Sequence, residues 1–363
     1  MPDAQLSRRK FISSVALTGA ATATSAMPFT ELANHDTVSN GLPPDREIRI
    51  LSAEKLSSAM SERIKAASNN IILQDYKPSD SSLLEEAEVI IGDVDADMLK
   101  RAKKLKWVQV THAGVENIPK EMIAHPVVLT NMQKVLAPVI AETAIALLLS
   151  LTRGISQFAV PNFQQKKWVY NPPENVVLDD LYDKTIGIVG MGGIGSETAR
   201  RLHYGFGMRV LGTDAKALYK PDYVEELHDP SWFMEMVPKV DVLMSAAPLT
   251  KETKEMFNEE VFSRMKPTSY FINVSRGGLV KQNALINALK NRKIRGAGLD
   301  VATPEPLPAD NELWSCRNVV LTAHNSSNAP VRTKRVIDLV ADNVRRYTMG
   351  LPLMNVVDKE KGY

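Results

Sequence analysis

The sequence predicts an α/β protein of two parallel-sheet domains, one inserted into the other, on three observations. Short apolar runs alternate with helical stretches along most of the chain, a glycine-rich turn joins a strand to a helix at 185–204, and polar residues recur directly after strand ends. With 363 residues, each domain can bury a core of its own.

The chain opens with Ser7-Arg8-Arg9-Lys10-Phe11-Ile12 and then carries no charge until Glu31. Residues 12–27 are weakly apolar, rich in Ala, Ser, Thr and Gly, and too short and polar to span a bilayer. Small residues offer cleavage after Ala23 or Ala26. A basic start, an apolar run and a small-residue exit read as a signal peptide over 1–26, similar to the twin-arginine type that exports folded proteins. The expected location is therefore the periplasm. The alternative is a cytoplasmic protein with a chance arginine pair. Residues 27–45, with Asn40-Gly41 and Pro43-Pro44, read as a linker.

From Arg46, strand-like runs at 48–51, 70–73, 88–92, 107–111 and 127–130 alternate with helix-like stretches at 53–67 and 97–103. This is a small parallel unit over 46–150. Residues 135–152 are the most apolar long stretch. Pro138, Glu142 and the short length favour a helix buried between domains or subunits over a membrane span. The stretch 166–180, with Trp168 and Pro172-Pro173, leads irregularly into a second unit, 151–324. A final helix at 330–349, stopped by Gly350 and Pro352, returns the chain to the first unit as 325–363.

The formal charge is +2, from 44 basic and 42 acidic residues. Arg8, Arg9 and Lys10 against Asp3 supply all of it, so the mature chain is neutral and no nucleic-acid or anionic-membrane partner is expected. The single cysteine, Cys316, excludes an internal disulfide and reads as a packing residue. No His/Cys/carboxylate cluster has zinc-like spacing, and no metal is expected.

Thr185–Val189 is a short apolar strand running straight into Gly190-Met191-Gly192-Gly193-Ile194-Gly195, then a helix at 196–204 and a second strand, Arg209–Thr213, that ends on Asp214. Gly190 suits the tight turn, Gly192 the approach of a pyrophosphate, and Gly195 close helix–strand packing. The helix start offers free N–H groups and positive dipole to phosphates. Asp214, 19 residues past Gly195, is placed to accept from adenosine ribose hydroxyls and to repel a 2′-phosphate, which favours NAD over NADP, although Lys216 is near. Strand, glycines, helix, strand and acid in this order make a Rossmann-type dinucleotide site.

Further strand-like runs at 240–245, 270–274, 296–299 and 318–322 lead to Ala247-Pro248-Leu249-Thr250, Ser275-Arg276, Asp300 with Glu305, and His324. In an open parallel sheet the carboxyl ends of strands line the ligand crevice, so Arg276, Asp300, Glu305 and His324 are expected around the nicotinamide. Reducing a ketone builds negative charge on its oxygen, and an imidazole delivers the proton near neutral pH. A carboxylate beside it favours the imidazolium, and a guanidinium grips a substrate carboxylate through its planar fork. His324, Glu305 and Arg276 supply these groups. His112 reads equally as loop packing or substrate pocket, and Lys134 as a solvated lysine rather than a contact to a second anionic group.

These motifs together resemble the D-isomer-specific 2-hydroxyacid dehydrogenase family. Beyond the glycine turn they comprise Pro248-Leu249-Thr250, Asn273-Val274-Ser275-Arg276-Gly277-Gly278, Leu299-Asp300-Val301, Glu305-Pro306-Leu307-Pro308 and Thr322-Ala323-His324. The resemblance implies two Rossmann/flavodoxin-like parallel-sheet domains, the NAD domain inserted into the substrate domain. It implies hydride transfer between NAD(H) and a small 2-oxo or D-2-hydroxy acid, and a homodimer held around the helix after Val135. Arg276 would be the substrate anchor, Glu305 the partner of the acid/base His324, and Asp300 a contact of the nicotinamide carboxamide. Ala113 and Gly114, in Thr111-His112-Ala113-Gly114-Val115-Glu116-Asn117, match the loop whose amides bind the substrate carboxylate. The cofactor set comprises Gly190, Gly192, Gly193, Ile194, Gly195, Asp214, Pro248, Thr253, Val274, Ser275, Arg276, Asp300 and His324. Ala323, Ser326 and Glu116 depart from the family's more usual Pro, Gly and Asp, which bears on substrate identity. Other readings are a non-catalytic NAD(H) sensor on the same fold, or an exported oxidoreductase that keeps its cofactor bound, since no NAD pool exists outside the cytosol.

Overall fold

The computed structural model describes residues 46–78 and 81–363; the expected signal peptide and linker lie outside these residues. The first sheet is built from β1 (Ile48–Ser52), β2 (Ile71–Asp75), β3 (Val89–Ile91), β4 (Trp107–Gln109) and β5 (Val128–Thr130), all parallel in the order β2-β1-β3-β4-β5. Between them run α1 (Ser58–Lys65), α2 (Ser81–Glu86), α3 (Ala96–Arg101) and α4 (Glu121–Ala124). The α1 helix begins five residues later than its sequence pattern because Ser57 caps it, accepting from the Met60 amide at 3.2 Å. Asp95 caps α3 in the same way, accepting from the Met98 amide at 2.8 Å.

The second part opens with α5 (Ala137–Thr152), a π-turn at Ile155–Ala159 and α6 (Val160–Gln164). Its strands are β6 (Thr185–Val189), β7 (Arg209–Thr213), β8 (Glu226–His228), β9 (Val242–Ser245), β10 (Tyr270–Asn273), β11 (Gly296–Leu299) and β12 (Val319–Leu321). Its helices are α7 (Gly193–Phe206), α8 (Phe233–Met236), α9 (Glu259–Arg264) and α10 (Gln282–Lys290). The seven strands are parallel in the order β12-β11-β10-β9-β6-β7-β8. The chain therefore walks outward from β6 to β8, then crosses to β9 on the other side of β6. That reversal opens a crevice at the carboxyl ends of β6 and β9, where ligands of open α/β sheets bind.

The boundary expected at residue 150 falls inside α5 and needs correction. Ala144, Leu147, Leu148 and Leu151 of α5 pack with Ile186, Ile188, Val242, Met244 and Ile272 of the seven-stranded sheet. An apolar helix needs a broad apolar partner, and this sheet face supplies it. No single helix among the described residues is long and apolar enough to cross a membrane; α5 and the following helical stretch reach that length only as a pair bent by 56°. The last helix, α11 (Pro330–Thr348), buries Val336, Val340 and Val344 against Ile48, Ile50 and Trp107 of the first sheet and Ile64 of α1. Past it, the Val357 amide donates to the Leu129 carbonyl at 2.8 Å, so the chain finishes on the first sheet. Cys316 is half-buried, and burial pushes its thiol up.

Candidate active site

β6 is a buried apolar strand that must turn sharply to enter α7, and Gly190 makes the turn with φ of +93°. A side chain at Gly195 would run into the Gly190 carbonyl oxygen, so only glycine lets α7 start this close to the strand. Space in front of Gly192 is open, and no side chain caps α7. The regular helix bonds begin with the Ser196 amide on the Gly192 carbonyl at 2.9 Å, which leaves the amides of Gly193, Ile194 and Gly195 for a ligand. These features fit a dinucleotide pyrophosphate. From the other side, the backbone of Lys134 abuts Gly193.

Asp214 does more than the sequence suggests. Its Oδ2 accepts from the Met191 amide and its Oδ1 from the Lys216 amide, both at 2.8 Å, tying the glycine turn to the end of β7. A carboxylate has about four acceptor positions, so capacity remains for a ribose hydroxyl. Thr253 holds the loop after β9 by donating to the Pro248 carbonyl at 2.7 Å. Val274 and Ser275 are buried, and the Ser275 hydroxyl is engaged by Ser245 at 2.9 Å and Asn273 at 3.0 Å. What these two residues present to a cofactor is backbone.

His324 faces Glu305, with Nδ1 2.7 Å from Oε2, and both side chains are open to the cleft. Because its partner is a carboxylate, Nδ1 is the donor and Nε2 is left for a substrate. His324 has φ of +49°, a left-handed conformation costing a non-glycine residue about 1–2 kcal/mol. Asp300 holds it there. Its carbonyl accepts from the His324 amide at 2.7 Å, while its carboxylate accepts from the Thr322 hydroxyl at 2.6 Å and the Asn325 and Ser326 amides at 3.1 and 3.2 Å. Asp300 is 1% exposed. Among the described residues the side chain's bonds go to the turn that carries His324, because donors of that turn surround it.

Arg276, after β10, reaches across the cleft to the loop after β4. Its Nε donates to Glu116 Oε1 at 2.6 Å and its Nη1 to the Ser275 carbonyl at 2.7 Å, while Nη2 lies against Gly114. Burial disfavours the charge on Glu116, but the hydrogen bond and positive charge of Arg276 outweigh it and hold the carboxyl below its ordinary range. The Ala113 carbonyl accepts from Asn131 Nδ2 at 2.7 Å, and the His112 ring bridges the Gly114 carbonyl and Asp93, at 2.7 Å each. His112 therefore braces the Ala113–Gly114 loop.

The structure thus gathers Arg276, Gly114, Glu305, His324 and Asp300 at facing strand ends. It adds contacts that the sequence did not assign, made by Asn131, Asn273 and Glu116. Asn273 is fully buried and donates to the Arg276 carbonyl at 2.9 Å; in the sequence it is a polar residue closing an apolar strand.

Residues 145–326 match the family described as D-isomer specific 2-hydroxyacid dehydrogenase, NAD binding domain. A glyoxylate reductase of Korarchaeum cryptofilum is 36% identical over 296 residues, covering 81% of this chain and 87% of that protein. A glyoxylate/hydroxypyruvate reductase B of Shigella boydii is 35% identical over 253 residues, covering 68% of this chain and 77% of the other. Among solved structures, the NADPH-dependent glyoxylate/hydroxypyruvate reductase of Sinorhizobium meliloti, in complex with citrate, superposes with a TM-score of 0.70 at 28% identity. That match covers 86% of this chain and 98% of that one.

Proposed function

Since the chain belongs to the D-isomer-specific 2-hydroxyacid dehydrogenase family, enzymes that move a hydride between a nicotinamide cofactor and a 2-oxo or 2-hydroxy acid, we propose that it is an NAD-dependent reductase of small 2-oxo acids of the glyoxylate and hydroxypyruvate kind. The observation that carries this reading is the His324–Glu305 pair at 2.7 Å, facing an Arg276 whose Nη2 lies beside Gly114. Arg276 and the Ala113 and Gly114 amides hold the substrate carboxylate, turning its carbonyl toward His324. His324 gives a proton from Nε2 to the carbonyl oxygen during reduction and takes it back in the reverse direction. Glu305 stabilises the imidazolium. The nicotinamide, when bound, supplies or accepts the hydride. His324→Ala should lower turnover of glyoxylate by about two to four orders of magnitude, the usual worth of a positioned acid/base. Near wild-type turnover would remove His324 from this role.

Asp214 supports NAD, because its charge beside the ribose disfavours a 2′-phosphate. Lys216 and the NADPH-dependent Sinorhizobium relative speak for the alternative, and initial rates with NADH and NADPH decide between them. A homodimer is supported by the segment after α5, where Phe163, Trp168 and Tyr170 are each more than 80% exposed. Residues 1–26 support periplasmic export with NAD bound beforehand and retained. Fractionating the native host for the cleaved protein tests export; denaturing gel-filtered protein and assaying released NAD tests retention.

A further inference from the structure

The loop that is to receive the substrate's carboxylate already carries one of its own. Glu116 lies two residues past Gly114, and its Oε1 accepts from Arg276 Nε at 2.6 Å. A side chain built at Gly114 would run into both Arg276 Nη2 and Glu116 Oε2. Anchor and internal carboxylate therefore converge on one backbone position. The pair is partly shielded from water, with side-chain exposures of 27% for Arg276 and 32% for Glu116, so each charge is felt more strongly than on an open surface.

The donors of Arg276 show what a ligand has to work with. Of the five N–H groups on the guanidinium, Nε goes to Glu116 and one from Nη1 to the Ser275 carbonyl. Nη2 has no hydrogen-bond partner among the described residues and faces Gly114, which leaves an edge for an incoming carboxylate. That carboxylate arrives beside Glu116, whose negative charge the Arg276 partnership maintains. A like charge at this spot weakens anion binding, and a second negative group on the ligand adds to the penalty.

We propose that Glu116 is a specificity-determining residue, whose charge competes with the substrate for Arg276 and selects small monoanionic 2-oxo acids over dianionic ones. The inference rests on the reading of Arg276 as carboxylate anchor.

The test compares the full-length wild type with Glu116→Gln, which keeps size and an acceptor but removes the charge, and Glu116→Asp, which keeps the charge. Steady-state kinetics use glyoxylate, dianionic oxaloacetate and neutral pyruvamide. In the Gln variant KM for glyoxylate should fall about tenfold, the scale a partly exposed charge a few ångströms away exerts. KM for oxaloacetate should fall further, KM for pyruvamide should stay unchanged, and kcat should move less than KM. Oxamate binding to the protein–NADH complex, read by quenching of NADH fluorescence, should tighten in parallel. The Asp variant should keep the wild-type ranking of the three compounds. An unchanged or raised KM for glyoxylate in the Gln variant, or an equal gain for pyruvamide, would overturn the proposal and leave Glu116 only as a support for Arg276. Wild-type protein that reduces no 2-oxo acid would overturn the functional reading itself, a failure seen before any variant is made.

Discussion

Replacing Asp300 with asparagine should loosen the turn that carries His324, and the bonds at that carboxylate set the size of the effect. Oδ1 accepts from Thr322 Oγ1 at 2.6 Å and the Asn325 amide at 3.1 Å, and Oδ2 accepts from the Ser326 amide at 3.2 Å. Asparagine keeps one acceptor oxygen. Set toward Thr322 and Asn325, it points its NH2 at the Ser326 amide, donor against donor. One bond to a charged acceptor is lost and two are weakened, a destabilisation of about 2–4 kcal/mol at a site this buried. For a domain of this size that is a fall in melting temperature of roughly 5–15 °C. The φ of +49° at His324 relies on the same anchor, and a displacement of about 1 Å at a reacting group lowers turnover about a hundredfold. Thermal unfolding followed by circular dichroism, together with kcat for glyoxylate and KM for NADH, reads both effects. An unchanged melting temperature with a raised KM for NADH would refute this reasoning, because the carboxylate would then serve the cofactor rather than the turn.

Gly195→Ala places a methyl group against the Gly190 carbonyl oxygen, so NADH binding in a fluorescence titration should be lost; retained binding would contradict the close packing of α7 on β6. Burial disfavours the charge on Asp241, but hydrogen bonds from Lys266 and the Thr185 amide outweigh it and hold its carboxyl below the usual range. A native value below the unfolded one contributes stability that is present above the unfolded value, about pH 4, and is lost as pH falls through the native value. Asp241→Asn should therefore flatten the acid limb of stability against pH in urea unfolding, and an unaltered limb would refute it. Replacing Phe163, Trp168 and Tyr170 with serine should turn the proposed dimer into a monomer in sedimentation with little change in melting temperature; an unchanged sedimentation coefficient would move the interface elsewhere.

Elements whose physics is local can be read directly from their residues. Strands buried on both faces must be short apolar runs between turn residues, and so β6, β7 and β11 have the bounds their residues suggest. The glycine turn is legible because each glycine answers a steric demand within ten residues of chain. Arg276, Glu305 and His324 are legible because charged groups directly after apolar strands have no packing reason to be there. β8 was not legible: Glu226–His228 is polar and partly exposed, and backbone pairing with β7 alone makes it a strand. The apolar character of α5 announced burial, but only the packed sheets decided which of them it covers. The tasks of Asp300 and Glu116 were likewise decided by tertiary structure. Asp300 answers donors 22 to 26 residues away, and Glu116 meets Arg276 across 160 residues of chain. No periodicity or spacing encodes such a meeting. It exists because each sheet buries its own apolar faces and leaves its polar residues in the loops beyond the strands' carboxyl ends, where Glu116 and Arg276 meet.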